Sequence, residues 1–432
     1  DIPEIDLIES KSSAFEMMAE RFNYNSEFSE SLKEYLKNDE RFSSIKLLAE
    51  NDEISIQDSK LSTSLFGEHM YLSASRLEDF FNCRFRYFCK FGLGAKPRTK
   101  AQMDAMKTGT VIHYVLENLI AQTGSERLGQ MSNAEIRILV DKYLRMYLDH
   151  EMGSSSEFTA RFTYQFLRLS KMLYSVVSRL AAEFSQSKFE AKAFELNIDK
   201  DGEVKPVIIS LDSGGTVQLR GEVDRVDVLD ENGIRYVRVI DYKSGNKKFS
   251  LSDILYGLNL QMFVYLFNLC NDKSSEFCGT PAGVLYMHSA RSVFGVERNA
   301  DSSSVIKEEN KEFKMKGLVL YDEEHDILQS MEKDLEGKYI PVKYSKKNGI
   351  TGCFASLEEL GRISRKVENL IAEMGNLLQK GSINQNPING KNHDKTCEFC
   401  DYSSVCASRR IIENREMEDL KDDDVIKILK EE

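Results

Sequence analysis

The sequence predicts an α/β fold in which long helices flank a β-sheet. Apolar residues recur at helical spacing over residues 132–150 and 157–187, whereas residues 189–243 are rich in strand-forming side chains. A helix is predicted over 252–270 and a strand over 282–288, so helices and strands alternate in this part of the chain. We therefore expect these strands to form one sheet with helices packed against it.

The predicted elements on either side of this region are mostly helical. In chain order they are two or three amphipathic helices within 12–50, a helix capped by Ser73 or Ser75 that passes Cys83 and is ended by Gly92 and Gly94, a helix over 101–122, a helix over 356–379 and a last helix after residue 411. Residues 51–70 are polar and are predicted to form a linker. The charged segment 290–315 is predicted to be a mobile insertion.

Length and composition are ordinary for a soluble protein with roughly two or three domains. The chain has 432 residues, of which 41% are apolar and 30% are charged. It contains no run of about 18 apolar residues, and its start lacks the pattern of a secretory signal. Because the first residue is Asp1 and not a methionine, we expect the chain to be a fragment of a longer protein.

The charge distribution limits how the chain could bind nucleic acid. A net charge of −12 argues against a general nucleic-acid coat, since such proteins usually carry a surplus of Lys and Arg. Local basic tracks remain compatible with it, and the candidates are Arg84, Arg86, Lys90, Lys96, Arg98, Lys100 and Lys107, then Lys243, Lys247 and Lys248, then Lys343, Lys346 and Lys347. Aromatic residues interleave the first track between Phe80 and Phe88, which is typical of a surface that stacks single-stranded nucleic acid or of a buried core.

Two aspartates and a lysine lie on neighbouring predicted strands. Asp224 lies within segment 218–227, and Asp241 and Lys243 end the strand-like segment 236–243. Side chains alternate along a strand, so Asp241 and Lys243 point the same way. Mg²⁺ and Mn²⁺ prefer carboxylate oxygens and keep several waters, so two strand-borne aspartates suit a metal ion that also binds a phosphate group. The lysine can then orient the attacking water or offset developing charge.

One predicted helix carries a histidine that could join this pair. Gly109, His113 and Glu117 are four residues apart and share one helix face, and the glycine would allow a strand to approach closely. A lone helical histidine is more often structural than functional. His113 is therefore a candidate metal ligand because of the aspartates that accompany it.

A second predicted helix follows the strand that ends at Asp241. Gln261 and Tyr265 are four residues apart on its otherwise apolar surface, so both could reach the same end of the sheet. A polar pair on an apolar helix is a weak signal by itself. The order and spacing of the pair together with Asp224, Asp241 and Lys243 are much more specific.

The cysteines indicate a second site. Cys397, Cys400 and Cys406 form a C-x2-C-x5-C run, which in a large chain without a secretory signal favours metal or cluster binding over disulfides. Three thiolates require a fourth ligand: His393 would complete a structural zinc site, and a cysteine from elsewhere would complete an iron-sulfur cluster. The spacing leaves both open. Among the other cysteines only Cys83 has a distinctive setting, because it directly follows segment 73–82, where the predicted helix begins. We expect core or surface positions for Cys89, Cys270, Cys278 and Cys353.

The order of these residues resembles that of a known nuclease family. His113, Gly221-x-x-Asp224-Arg225, Asp241-Tyr242-Lys243 and Gln261-x-x-x-Tyr265 are together similar to the motifs of the RecB-type branch of the PD-(D/E)xK nucleases. Cys83 and the distant C-x2-C-x5-C run are similar to the iron-sulfur staple of some members. Because the two are separated by about 300 residues, the chain is more similar to the second-subunit nuclease domain of bacterial AddAB-type helicase-nucleases than to the shorter CRISPR-associated nucleases.

The resemblance implies roles for individual residues. The ligands of a Mg²⁺ or Mn²⁺ ion would be His113, Asp224, Asp241 and the backbone carbonyl of Tyr242. Lys243 would be the catalytic lysine, supported by Gln261 and Tyr265. A [4Fe-4S] cluster would be held by Cys83, Cys397, Cys400 and Cys406.

The resemblance also implies an architecture and a context. We expect a restriction-endonuclease-like core, with a central mixed β-sheet flanked by helices, over residues 71–410. Residues 1–70 would be the remnant of a helicase-like region and 411–432 an acidic tail. The implied function is a DNA exonuclease module for double-strand-break repair in the bacterial cytoplasm, with DNA and a helicase-nuclease subunit of the AddA type as partners. The alternatives are a catalytically silent DNA-end-binding module and a stand-alone cluster-bearing nuclease of the CRISPR-associated type.

Overall fold

A computed structural model describes most of the chain. The described residues are 8–22, 26–50, 55–96, 108–152, 160–243, 245, 249–289, 301, 311, 313–323, 326–390, 396–406 and 415–431. Most of the predicted insertion at 290–315 lies outside them. Among the described residues, none of the helices combines the length and the apolar character needed to cross a lipid bilayer.

The strands form one large mixed sheet and two small ones. Their bounds are β1 His69–Ser73, β2 Glu190–Ile198, β3 Ile208–Ser210, β4 Thr216–Glu231, β5 Ile234–Lys243, β6 Thr280–His288, β7 Lys316–Leu320, β8 Val342–Ser345, β9 Gly349–Gly352, β10 Phe354–Ala355, β11 Ile388–Asn389 and β12 Arg415–Glu416. The large sheet has the order β1-β4-β5-β6-β7-β10, and β2 and β3 pair with β4 as well. The pairs β4–β5 and β6–β7 are antiparallel and β5–β6 is parallel, which confirms the predicted mixed sheet.

Helices cover this sheet. Their bounds are α1 Lys11–Glu20, α2 Glu27–Leu36, α3 Phe42–Glu50, α4 Ser59–Phe66, α5 Ala74–Asn82, α6 Arg84–Tyr87, α7 Thr108–Thr123, α8 Ser125–Gln130, α9 Asn133–Met152, α10 Ala160–Phe184, α11 Gln261–Asn271, α12 Asp326–Met331, α13 Leu357–Gln379 and α14 Asp422–Glu431. One continuous core joins the sheet to the helices from α5 onwards, whereas α1 and α2 bury a small separate core.

A tight hairpin sets the register of the two central strands. Asn232 and Gly233 both have positive φ angles, 53° and 77°, as a two-residue turn between antiparallel strands requires. The hairpin pairs Glu231 with Ile234 and, further along, Arg225 with Ile240. That register brings the next residue of β4, Asp224, level with Asp241 on β5.

Three sequence predictions of regular structure are wrong in detail. Residues 51–70 are not only a linker, because α4 and the start of β1 lie within them; Phe66 packs on Tyr87 with ring centroids 6.2 Å apart. The helix predicted over 252–270 is broken into a 3₁₀ turn at Leu251–Tyr256 and α11. The break follows from Gly257 and Asn259, whose φ angles of 80° and 54° are left-handed and end a helix.

The helix predicted to pass Cys83 is also interrupted. Cys83 itself is extended, with φ −168° and ψ 120°, and separates α5 from α6. A π-helical turn at Phe88–Gly92 follows, and Gly92 ends it as predicted. The interleaved aromatics belong to the core, since Phe80, Phe81 and Tyr87 are almost completely buried. The idea that they form a stacking surface for single-stranded nucleic acid is therefore wrong for these three residues.

Candidate active site

The predicted aspartates and lysine meet at one end of the β4–β5 hairpin. Asp241 is 5% exposed, and its Oδ1 and Oδ2 lie 2.9 Å and 2.7 Å from Lys243 Nζ. Asp224 Oδ2 accepts a 2.7 Å hydrogen bond from the backbone N–H of Tyr242. The side chain of Lys243 is 35% exposed, so the ammonium group borders solvent while the carboxylates lie behind it.

His113 joins the centre from α7. Its Nε2 lies 3.8 Å from Asp224 Oδ2 and 3.3 Å from the backbone carbonyl of Tyr242, and its Nδ1 lies 3.0 Å from Glu195 Oε1. The ring therefore lies close to Asp224 and to the Tyr242 carbonyl, two of the groups that the family resemblance implies as ligands of the same metal ion. The structure brings His113, Asp224 and the Tyr242 carbonyl together, and their role as metal ligands stays a prediction.

Glu195 is a member of this centre that the sequence reasoning missed. Potential ligand atoms of His113, Glu195 and Asp224 all lie within 4.8 Å of one another. Glu195 has a φ angle of 46° within β2, a conformation that a non-glycine residue adopts at a cost and that often marks functional sites. The sequence itself shows only an acidic residue between the apolar residues Phe194 and Leu196. The pairing of this strand with β4, which brings Glu195 to the centre, is visible in the structure alone.

The charge balance of the centre favours a bound cation. Burial, followed by repulsion from Asp241, raises the pKa of Asp224 to about 7. Burial, with repulsion by Glu195 next, also raises the pKa values of Glu117 and Glu222. These carboxylates resist ionisation because they are shielded from water and, to a smaller extent, because they repel one another. A divalent metal ion would offset both effects. The donor set of carboxylates, an imidazole and a carbonyl suits Mg²⁺ or Mn²⁺.

Gln261 and Tyr265 reach the centre from α11. Gln261 Nε2 donates to Tyr265 Oη over 3.2 Å. Burial raises the pKa of the Tyr265 phenol, and the negative charges of Asp241 and Asp224 add to that shift. Gly221 makes room for this phenol, because a Cβ atom there would lie 1.9 Å from Tyr265 Oη. The glycine of the Gly221-x-x-Asp224 motif is thus explained by packing.

The expected reason for Gly109 is not supported. A Cβ atom on Gly109 would meet no described atom within 4 Å, so a close approach by a strand does not explain this glycine. The other polar residue on that helix face, Glu117, is placed near the centre, since Glu195 and His113 both influence its pKa.

The cysteine run folds back on the segment around Cys83. Tyr402 Oη donates a 2.7 Å hydrogen bond to the Ala95 carbonyl, which fixes the loop against the π-helical turn. Burial raises the pKa of the Cys397 thiol, and the thiols of Cys83 and Cys400 raise it further. Cys83 and Cys400, two of the other proposed cluster ligands, therefore lie close enough to Cys397 to act on its thiol.

Cys89 and His393 bear on the identity of the fourth ligand. Cys89 is buried, as expected, but it also neighbours this site: burial raises the pKa of its thiol, and Cys400 and Cys83 add to the shift. Cys406 lies in the same loop, where its N–H donates to the carbonyl of Tyr402. His393, the alternative zinc ligand, lies outside the described residues.

The first basic track is engaged in local contacts. Asp79 pairs with Lys90 at 2.8 Å and with Arg86 at 3.6 Å, and Arg84 Nη1 donates to Ser382 Oγ over 3.0 Å. Lys343, Lys346 and Lys347 are exposed on the β8–β9 hairpin. Five basic residues of the first two tracks lie outside the described part of the chain: Arg98, Lys100, Lys107, Lys247 and Lys248.

Comparison with known proteins identifies similar chains. The model of the PD-(D/E)XK nuclease superfamily matches residues 71–407. A curated relative from Clostridium novyi (strain NT), named as the B-type subunit of an ATP-dependent helicase/deoxyribonuclease, is 32% identical over 402 residues, which is 90% of this chain and 35% of the relative. Relatives of the same name from Clostridium acetobutylicum and Clostridium tetani are 27% and 32% identical over 90% and 87% of this chain, and over 34% of each relative. The chain thus spans about a third of the length of these relatives.

The contact between His113 and Glu195 predicts an unusual titration. The hydrogen bond that His113 donates to the Glu195 carboxylate is the main reason that the pKa of His113 is raised to about 9. In the metal-free chain, Glu195→Gln should lower this pKa towards the usual value of about 6.5, as measured by NMR titration of the imidazole. Because the folded-state pKa is raised, the stabilisation from this pair is complete below about pH 6.5 and is lost as the pH rises through about 9.

A matched control is Glu190→Gln, on the same strand, where the carboxylate is exposed and pairs with Lys192. It should leave the His113 titration unchanged. A His113 pKa near 6.5 in the unsubstituted chain would contradict this description of the centre.

Proposed function

The chain belongs to the PD-(D/E)XK nuclease superfamily, and from that premise we propose that it hydrolyses phosphodiester bonds of DNA at the centre formed by Asp224, Asp241 and Lys243. The observation that carries the proposal is the convergence of one buried and one half-buried carboxylate, an imidazole and a lysine at one end of the β4–β5 hairpin. Members of this superfamily generally use a divalent metal ion. The crowded, incompletely compensated carboxylates fit such an ion.

The proposed ligands are His113, Asp224, Asp241 and the carbonyl of Tyr242. Among the described residues the ligand atoms of His113, Asp224 and Glu195 lie within 4.8 Å of one another, so Glu195 is close enough to take part, whereas the Asp241 carboxylate lies outside that group and pairs with Lys243. When bound, the ion supplies Lewis-acid activation of the phosphate and lowers the pKa of a water ligand. The protein residues keep the ligand oxygens in place: the Tyr242 N–H orients Asp224, and Glu195 orients the His113 ring.

Lys243 is the proposed catalytic lysine. Its ammonium group is partly exposed and is held by both oxygens of Asp241, so it stands where a phosphate would approach the carboxylates from solvent. A fixed positive charge at that place stabilises the negative charge that develops on the phosphate oxygens. We propose that Tyr265, oriented by Gln261, supports the centre from the α11 side.

We further propose that the chain is the nuclease module of a helicase-nuclease. The relatives are named as a subunit of an ATP-dependent helicase/deoxyribonuclease, and the match spans most of this chain. The partner would be an AddA-type protein, and the substrate would be DNA unwound at double-strand breaks, degraded as an exonuclease would. In this proposal residues 71–410 are the nuclease domain, 1–70 belong to a preceding helicase-like region and 411–432 form an acidic tail.

An iron-sulfur cluster is the proposed occupant of the cysteine site. Cys83 and Cys400 lie close enough to Cys397 to raise the pKa of its thiol, and Cys406 lies in the same loop. A cluster on these four thiols would fasten the C-terminal loop to the junction of α5 and α6. The contribution would be structural, because binding energy at such a site adds to folding energy.

The nuclease proposal predicts the effect of removing one carboxylate charge. Asp241→Asn should lower the rate of Mg²⁺- or Mn²⁺-dependent cleavage of end-labelled single-stranded DNA by about 100-fold or more, since it removes both a proposed ligand and the partner of Lys243. Asp230→Asn is the matched control, because Asp230 is an exposed residue of β4 that pairs with Arg235. Cleavage by the control should equal that of the unsubstituted chain.

The same experiment separates the nuclease from a silent DNA-end-binding module. If neither the unsubstituted chain nor Asp241→Asn cuts DNA while both bind it, the silent module replaces the nuclease as the best account.

The cluster proposal predicts linked losses of iron and stability. Cys400→Ala, purified without oxygen, should lose iron and sulfide and melt lower by about 5 °C or more, with reduced nuclease activity. Cys278→Ala, a partly exposed cysteine away from the loop, should keep its iron and its melting temperature. Zinc in place of iron, or a normal melting temperature in Cys400→Ala, would contradict the proposed cluster.

A further inference from the structure

Four charged side chains are buried together behind the candidate centre. Arg225, Asp227 and Arg238 are fully buried and Glu183 is 2% exposed. Arg225 donates to both oxygens of Asp227 over 2.6 Å, and Arg238 donates to Asp227 over 2.9 Å and to Glu183 over 2.6 Å. Arg225 Nη1 also lies 3.5 Å from Glu183 Oε2. The two positive and two negative charges form a closed network that connects α10, β4 and β5.

Stability alone is a weak reason for such a network. Removing four charges from water is costly, and well-packed apolar residues of similar volume often stabilise a fold as well or better. The sheet and helices around the network already have an extensive apolar core. Phe184 and Phe189 cover the two guanidinium groups, with ring centroids 4.5 Å and 4.7 Å from Arg225 Cζ and Arg238 Cζ, so the network is sealed from solvent. In some proteins buried charge pairs of this kind are retained because they fix one particular arrangement of the chain.

The arrangement fixed here is that of the strands that carry the centre. Asp227 of β4 is paired in register with Arg238 of β5, so their ion pair crosses the hairpin directly. Arg225 immediately follows Asp224 in β4. Any slip between the strands would break the contact between Asp227 and Arg238 and displace Asp224 relative to Asp241.

Tyr242 connects the network to the centre. Its backbone N–H binds Asp224 Oδ2 at 2.7 Å and its carbonyl lies 3.3 Å from His113 Nε2. Its phenol is buried on the side of Arg225, whose guanidinium acts on it electrostatically. The backbone of one residue thus touches two proposed ligands, while its buried side chain lies within electrostatic reach of Arg225.

We propose that Glu183, Arg225, Asp227 and Arg238 are positioning residues for the nuclease centre and that Tyr242 transmits their position to Asp224 and His113. This inference rests on the proposed function. The proposal gives a role to Glu183 of α10. In the contacts that the structure describes, Glu183 touches neither the candidate metal ligands nor Lys243. The network acts by orienting groups that bind the metal, so its loss should affect metal affinity and turnover more than DNA binding.

The test uses two substitutions in the full 432-residue chain. Glu183→Gln removes one charge of the network but keeps the side chain's shape, and Tyr242→Phe removes only the buried hydroxyl. Each should weaken Mn²⁺ binding, measured by calorimetry and by electron paramagnetic resonance, by about tenfold, as for other residues that orient metal ligands. Each should also lower kcat for DNA cleavage by about tenfold while KM for DNA stays within about twofold.

The matched control is Glu231→Gln, which removes a charge from β4 in an exposed pair with Lys188. It should leave Mn²⁺ affinity and kcat unchanged. Mn²⁺ affinity and kcat equal to those of the unsubstituted chain in both network variants would overturn the proposal, even if their melting temperatures fall, because the network would then be structural only.

The readouts also separate this inference from the proposed function. If Glu183→Gln fails to fold, Tyr242→Phe decides the question alone, because it changes no charge. If the unsubstituted chain binds Mn²⁺ but does not cut DNA, the proposed function fails, and the Mn²⁺ affinities of the variants still support or overturn the positioning role.

Discussion

The structure depends on holding two like-charged carboxylates side by side at the end of one hairpin. The Asn232-Gly233 turn fixes the register that makes Asp224 and Asp241 neighbours. Burial and mutual repulsion then raise the pKa of Asp224 to about 7, so this arrangement costs the fold free energy at neutral pH. The cost is offset by interactions that lie outside the pair, and a cation bound between the carboxylates would remove it.

Two backbone features carry much of that support. The peptide N–H of Tyr242 binds Asp224, and its carbonyl faces His113, so the chain between Asp241 and Lys243 is itself part of the centre. Glu195 contributes from β2 by adopting a left-handed conformation that directs its carboxylate to His113. Strain accepted at such a position is typical of sites where orientation matters more than stability. The centre is therefore built as much by strand geometry as by the motif side chains.

The motif could be predicted from the sequence, whereas its surroundings could not. Asp241 and Lys243 end an apolar strand, and this local contrast predicts their shared direction, which the structure confirms. Glu195 was missed because its role arises from pairing between strands that are distant in sequence. Spacing alone does not reveal which side of a helix is covered, so the sequence does not distinguish core from surface for Phe80 and Tyr87. The break at Gly257 and the strand at His69–Ser73 likewise depend on tertiary packing that local propensity does not report.

The central claim is that His113, Asp224 and Asp241 form one divalent-metal site. The most direct test is an anomalous difference map from crystals of the chain grown with Mn²⁺ and recorded near the manganese absorption edge. We expect a strong peak in contact with the carboxylates of Asp224 and Asp241 and on the side of the His113 ring. A fully occupied peak elsewhere, with no density between these three side chains, would contradict it.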